Sequence, residues 1–176
     1  MKKILFIAAI ASTVTGVTQS KFETNKEGSE YKFKVLKDIE ATVYKYNSPD
    51  INFEKELNNQ FANYIVAEQD EQKNKSLIIG FAGIWIFKDE IHIAQIAIHS
   101  DWQRTGIGCQ LLNKIYEITR STDNKKILLE VHENNQAAIE FYLKNKFIIT
   151  GKKQKYYQNI TGNNDAVKME KLLLCT

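Results

Sequence analysis

The segment Gln103–Gly108 constrains this chain more than any other. It reads Gln-Arg-Thr-Gly-Ile-Gly and lies between a β-branched run, Ile91–Ile98, and a stretch where Ile107, Leu111, Leu112, Ile115 and Ile118 recur at helical spacing. A strand, a tight turn and an amphipathic helix must follow one another here. Two glycines at the mouth of a helix bare its first backbone N–H groups and admit a ligand closely. Those donors, the positive end of the helix dipole and the Arg104 guanidinium together suit a phosphate or pyrophosphate. A tight turn without a ligand is the alternative for such a motif taken alone.

Two better-known phosphate loops do not fit. No Gly-Lys-Ser/Thr ending is present, which sets aside a triphosphate-binding loop. The dinucleotide fingerprint needs a third glycine where this chain has Leu111.

Downstream, Ile127–Val131 reads as a buried strand interrupted by one carboxylate, Glu130. Asn134-Asn135 offers a helix cap before Ala137, Ala138, Phe141 and Tyr142. Asn145-Lys146-Phe147, the pair Tyr156-Tyr157 and Asp165–Met169 follow. In order and spacing this series resembles the GNAT superfamily of N-acetyltransferases, whose Gln/Arg-x-x-Gly-x-Gly loop cradles the pyrophosphate of coenzyme A. Within it, the chain is most similar to the bacterial ribosomal-protein alanine N-acetyltransferases, from about Phe53 to Leu173.

The resemblance implies an α/β fold, a mixed central β-sheet flanked by about four helices. It implies acetyl-CoA as acetyl donor, held by Arg104, Thr105, Gly106, Ile107, Gly108 and Cys109, by the main chain of Ile96, Ala97 and Ile98, and by Asn135. It places Glu130 as general base and Tyr142 as general acid. The implied acceptor is a protein N-terminal amine, the N-terminal alanine of a small-subunit ribosomal protein. Acetylation of a small-molecule amine or a lysine is the alternative within the class, and a non-catalytic acyl-CoA-binding module the alternative outside it. Tyr156 and Tyr157 are candidates to line the acceptor groove or to pack a strand end.

The residues support this chemistry on their own terms. A peptide α-amine has a pKa of about 8 and must lose a proton near neutral pH before it attacks a thioester. A carboxylate in an apolar strand, as Glu130 is, would be moved by burial toward the working range of a base. A solvent-facing or lysine-paired carboxylate is the other reading. Tyr142 carries a proton that a departing thiolate needs, or else packs its helix with Ile139 and Phe141. Asn135 either contacts the cofactor or caps the helix, and the two roles are compatible.

Three departures from the family pattern stand out. His132 replaces an arginine after Glu-Val, Lys146 replaces the glycine before Phe147, and the region before Phe53 is shortened and lacks a Pro-Trp pair. A positive φ at Lys146 would cost about 1 kcal/mol. His92 and His99 flank the strand before the glycine loop, with no third ligand evident, and read as strand-end polar residues.

At 176 residues and 43% apolar content the chain can bury a single core. A net charge of +3 with scattered lysines does not indicate a nucleic-acid partner. Cys109 and Cys175 lack metal-ligand spacing, so no metal is expected, and two lone thiols fit a reducing compartment, with a single disulfide as the alternative. Nothing fixes an oligomeric state. Met1-Lys2-Lys3 followed by Ile4–Ala11 has the outline of a secretory signal, with an extra strand as the alternative; it is too short to span a membrane. The expected organisation is a signal-like or extra segment over 1–20, a polar linker over 21–30 and an acetyltransferase domain over 31–176. A cytoplasmic location is expected, with export or organelle targeting as the alternative if 1–20 act as a signal.

Within that domain, Tyr31–Leu36 reads as a strand and Asp38–Tyr46 as a helix. Phe53, Leu57 and Phe61 suggest the apolar face of a second helix. Asn63–Glu68 is a short strand, and Leu77–Phe87 with Glu90–Ile98 form a hairpin turning at Lys88-Asp89.

Overall fold

The computed structural model describes residues 4–10, 39, 56, 59–71, 75–157 and 165–173. Their strands form one seven-stranded sheet. In chain order these are β1 (Ile4–Ile10), β2 (Ala62–Glu71), β3 (Lys75–Ile86), β4 (Glu90–Ile98), β5 (Lys126–His132), β6 (Ile148–Lys153) and β7 (Ala166–Leu172). Helix α1 (Ile107–Ser121) joins β4 to β5, and α2 (Gln136–Lys144) joins β5 to β6. The spatial order is β1-β2-β3-β4-β5-β7-β6. Strands β4 and β5 run parallel, which requires a crossover such as α1; the other neighbours are antiparallel.

The hairpin turns at Lys88-Asp89 as its sequence requires, closed by Phe87 N–H donating to the Glu90 carbonyl at 2.9 Å. Strand β2 extends beyond the expected Asn63–Glu68 because β1 on one side and β3 on the other supply partners along its length. The strand and first helix expected over residues 31–46 lie outside the described residues, apart from Ile39, which is helical.

In the second expected helix Glu56 is helical, but Phe61 corrects the reading. It sits in a turn and is 41% exposed, although its spacing from Phe53 and Leu57 suits a helix. The cause is local. The Asn59 side chain accepts the Phe61 N–H at 3.1 Å, and the Asn59 carbonyl accepts the Ala62 N–H at 3.0 Å. An asparagine that bonds the backbone two residues on offers a turn in place of a further helical bond.

Both faces of the sheet are covered. On one, Ile107, Leu111, Leu112 and Ile115 of α1 and Ile139 of α2 pack over Ile65, Ile79, Ile84, Ile91, Ile127 and Leu129. Burying each such side chain contributes about 1.5–3 kcal/mol. On the other, Ile39 packs with Ala62, Tyr64, Val66, Ile78, Phe81 and Ala97. Glu56 reaches the same side and accepts the Trp85 indole N–H at 2.7 Å.

Candidate active site

The site is where the sheet opens. Parallel pairing of β4 with β5 runs from Glu90–Lys126 to Ile93–Leu129 and stops, although β4 continues to Ile98 and β5 to His132. Each strand keeps its outer partner, β3 and β7. The facing edges beyond Ile93 and Leu129 no longer bond to each other, leaving main-chain groups available to a ligand. A cleft of about 650 Å³ occupies the gap.

The glycine loop closes one end of the cleft. Gly106 is the N-cap of α1, with φ +92°, no side-chain cap and no acidic residue in the first turn. A β-carbon there would have open space around it, so backbone conformation alone favours glycine. Arg104 also has a positive φ, 62°. The Gln103 side chain donates to the Ile98 carbonyl at 3.2 Å, which ties the loop to the end of β4. Gln103, Arg104, Gly106, Gly108 and Cys109 line the cleft. The Thr105 hydroxyl donates to the Trp102 carbonyl at 2.6 Å, and Ile107 is buried in the core beneath.

Ile96 and Ile98 line the cleft, whereas the Ala97 side chain turns into the opposite core. Asn135 also lines it, and its Oδ1 accepts the Ala138 N–H at 3.1 Å as the cap of α2.

Glu130 and Tyr142 both face the cleft. Glu130 is the first β5 residue past the last parallel pair, and its side chain is 11% exposed. Lys153 Nζ lies 2.8 Å from its Oε1, and His92 Nδ1 lies 3.9 Å from its Oε2. The bond to Glu130 pushes the Lys153 pKa above the ordinary lysine value, against partial burial. Tyr142 is buried between Phe141 and Phe147, each edge-on at ring distances of 5.1 and 5.4 Å. Burial first, then the neighbouring Tyr116, pushes its phenol well above the ordinary value. The proton therefore stays on Tyr142 throughout the neutral range.

Tyr156 and Tyr157 line the cleft beside Glu130, their rings edge-on at 5.0 Å. Burial pushes the Tyr157 phenol to about 12, and Lys153 sits 4.9 Å above the Tyr156 ring.

Several lining residues escape a sequence reading. His92 is not a strand-end residue: it is the third residue of β4, stacked on Trp85 at 6.3 Å, and it faces Glu130. Lys153 reaches Glu130 across the intervening strand β7, since His132, Ala166 and Lys153 share one rung of the sheet. Neither contact has a local signal; each depends on strand order. His99 does follow β4, and its Nδ1 accepts the Asp101 N–H at 3.3 Å. Among the described residues no cluster of metal-ligating side chains occurs, and no helix is long and apolar enough to cross a membrane.

Residues 33–147 match the acetyltransferase (GNAT) family. A Bacillus subtilis (strain 168) protein that carries the provisional name ribosomal protein bS18-alanine N-acetyltransferase is 30% identical over 135 residues, 75% of this chain and 83% of that protein. The crystal structure of the ribosomal-protein-S18-alanine N-acetyltransferase from Escherichia coli superposes with a TM-score of 0.70 at 20% identity, covering 98% of this chain and 96% of the other. A GNAT family acetyltransferase from Elizabethkingia anophelis with acetyl-CoA bound superposes with a TM-score of 0.68 at 16% identity, covering 97% and 98%. At these identities the two structures speak to the fold.

Proposed function

The chain belongs to the acetyltransferase (GNAT) family, and from that premise we propose that it carries an acetyl group from acetyl-CoA to the α-amine of a protein N-terminus. By analogy with the Bacillus subtilis relative, the acceptor is the N-terminal alanine of a small-subunit ribosomal protein. One observation carries the reading: an open helix N-terminus, a parted parallel ladder and a mostly buried carboxylate meet in a single cleft.

The residues fit the donor. The uncapped first turn of α1 leaves the N–H groups of Gly106, Ile107, Gly108 and Cys109 for a pyrophosphate, with Arg104 and Thr105 beside them. The main chain of Ile96, Ala97 and Ile98 offers groups for the pantetheine amides, and Asn135 lines the same cleft. A neighbour of the same fold has acetyl-CoA bound, which supports acetyl-CoA as the donor. Bound there, acetyl-CoA would supply an acetyl group already activated as a thioester.

Glu130 then acts on the acceptor. Its carboxylate receives the proton of the incoming amine, directly or through one water, after the amine displaces Lys153 from Oε1. Tyr142 holds, at its hydroxyl, the proton that a leaving thiolate requires. Its upward shift widens the gap to a thiol at about 8.5, so that delivery is uphill for the isolated phenol. A main-chain N–H of β4 polarises the carbonyl under attack.

Acetylation of a small-molecule amine or a lysine is the second reading, because the region before Phe53 lacks the Pro-Trp pair of the alanine N-acetyltransferases. The test is acetyl transfer to short peptides with different first residues, beside polyamines and a lysine side chain in an N-blocked peptide. Turnover on Ala-starting peptides is expected. Turnover on polyamines or lysine alone overturns the α-amine reading.

A further inference from the structure

Two polar side chains in the cleft carry unpartnered atoms and are not used by the chemistry above. Gln95 is 4% exposed, and neither its Nε2 nor its Oε1 has a hydrogen-bond partner among the described residues. His132 is 5% exposed; its Nδ1 accepts the Asn134 N–H at 3.1 Å, and its buried Nε2 has no hydrogen-bond partner among the described residues. The occupied Nδ1 assigns the proton of the neutral ring to Nε2, which makes it a donor. Both residues line the cleft with Glu130.

Strand irregularity aims them there. β3 and β4 pair Ile84 with Ile93 and then Gly83 with Gln95, so Ala94 is an extra residue in β4. Such a bulge re-aims the residues that follow. Past it, Ile96 stays with Ile91 and Ile93 on the α1 face, while Ala97 turns into the opposite core. Gln95, two residues before Ala97, thus shares the opposite face, the one on which His92 meets Glu130. On β5, Glu130 and His132 alternate onto one face, and Val131 between them packs into the core with Tyr142. One amide on the β4 wall and one N–H donor on the β5 wall flank the base.

Buried polar groups without partners are costly to maintain unless something supplies the partners. A peptide unit presents one carbonyl and one N–H, which a glutamine amide matches in both senses, and the next carbonyl matches the His132 donor. A polyamine has no carbonyl to offer. We infer that Gln95 and His132 are specificity residues that bind the main chain of the acceptor's first residues, selecting an extended peptide over a simple amine. The inference rests on the α-amine reading given above.

The test compares parent, Gln95→Met, His132→Phe and His132→Gln on an Ala-starting hexapeptide and on isopropylamine, with the KM for acetyl-CoA and thermal unfolding measured for each. Gln95→Met keeps the length of the side chain without its amide, and His132→Gln keeps an N–H donor. Losing one neutral hydrogen bond should raise the peptide KM, and lower selectivity for peptide over isopropylamine, about tenfold. The loss should fall on KM rather than kcat, and His132→Gln should recover much of it. Peptide KM unmoved in both Gln95→Met and His132→Phe overturns the inference while leaving the α-amine reading intact. A KM for acetyl-CoA that rises in parallel with the peptide KM overturns it equally. A parent enzyme that acetylates isopropylamine and no peptide overturns both.

Discussion

Lys153 places its ammonium 2.8 Å from Oε1 of Glu130, the cleft-lining carboxylate proposed as the base. In the proposed mechanism the acceptor amine also arrives as a cation, so it would compete with Lys153 for Glu130 Oε1. The contact is raised above the level of a surface ion pair by its place in the cleft, with Glu130 only 11% exposed.

Lys153 reports on this pairing directly. Its pKa is raised first by the hydrogen bond it donates to Glu130, with burial opposing. A raised ammonium pKa means that the pair's contribution to stability is fully present below the unfolded lysine value of 10.5 and is lost as pH rises through the higher folded value. Glu130→Gln removes the charge, so Lys153 should titrate at lower pH than in the parent. NMR of labelled lysines reads this; an unchanged titration would show that the pair does not form in solution.

The proposed role of Tyr142 is tested separately. Tyr142→Phe keeps the ring between Phe141 and Phe147 and removes only the hydroxyl with its proton. Turnover should fall about 100-fold, typical for loss of a general acid, with the affinity for acetyl-CoA retained. A variant as fast as the parent would assign Tyr142 to packing alone.

Gly106→Ala isolates the glycine loop. The added methyl meets nothing within 4 Å, but φ is +92°, so the cost is conformational, about 1 kcal/mol of stability. Acetyl-CoA should bind more weakly, because relaxing φ swings the first N–H groups of α1. Chemical denaturation and calorimetric titration measure the two effects; unchanged affinity would place the phosphate elsewhere.

Lys146 offers the converse. It follows α2 with φ 68°, a conformation in which a β-carbon is strained. Lys146→Gly should stabilise the protein by about 0.5–1 kcal/mol, the strain relieved less the added freedom of the unfolded chain. A lower melting temperature would contradict this.

What the sequence made legible follows from physical range. Gly106 and Asn135 act through the backbone of the helices they begin, so a few neighbouring residues declare them. Glu130 and Tyr142 stand out by order along the chain, within a strand and a helix that local periodicity defines. Lys153 and His92 meet Glu130 only through strand order, the first across β7 and the second through the parallel β4–β5 ladder. Gln95 takes its direction from one extra residue at Ala94, which an alternating apolar run conceals. Phe61 misleads because its spacing fits a helix that the Asn59 side chain ends.

The central claim is that Glu130 deprotonates an acceptor α-amine within an acetyl-CoA cleft. Single-turnover acetylation of an Ala-starting peptide by parent and Glu130→Gln tests it most directly, with enzyme preloaded with acetyl-CoA and the product mapped by mass spectrometry. The expected product carries its acetyl group on the α-amine and forms at least about 100-fold more slowly with Glu130→Gln near neutral pH, the gap narrowing as pH rises past the amine's value of about 8. Equal rates for the two enzymes at neutral pH would contradict it.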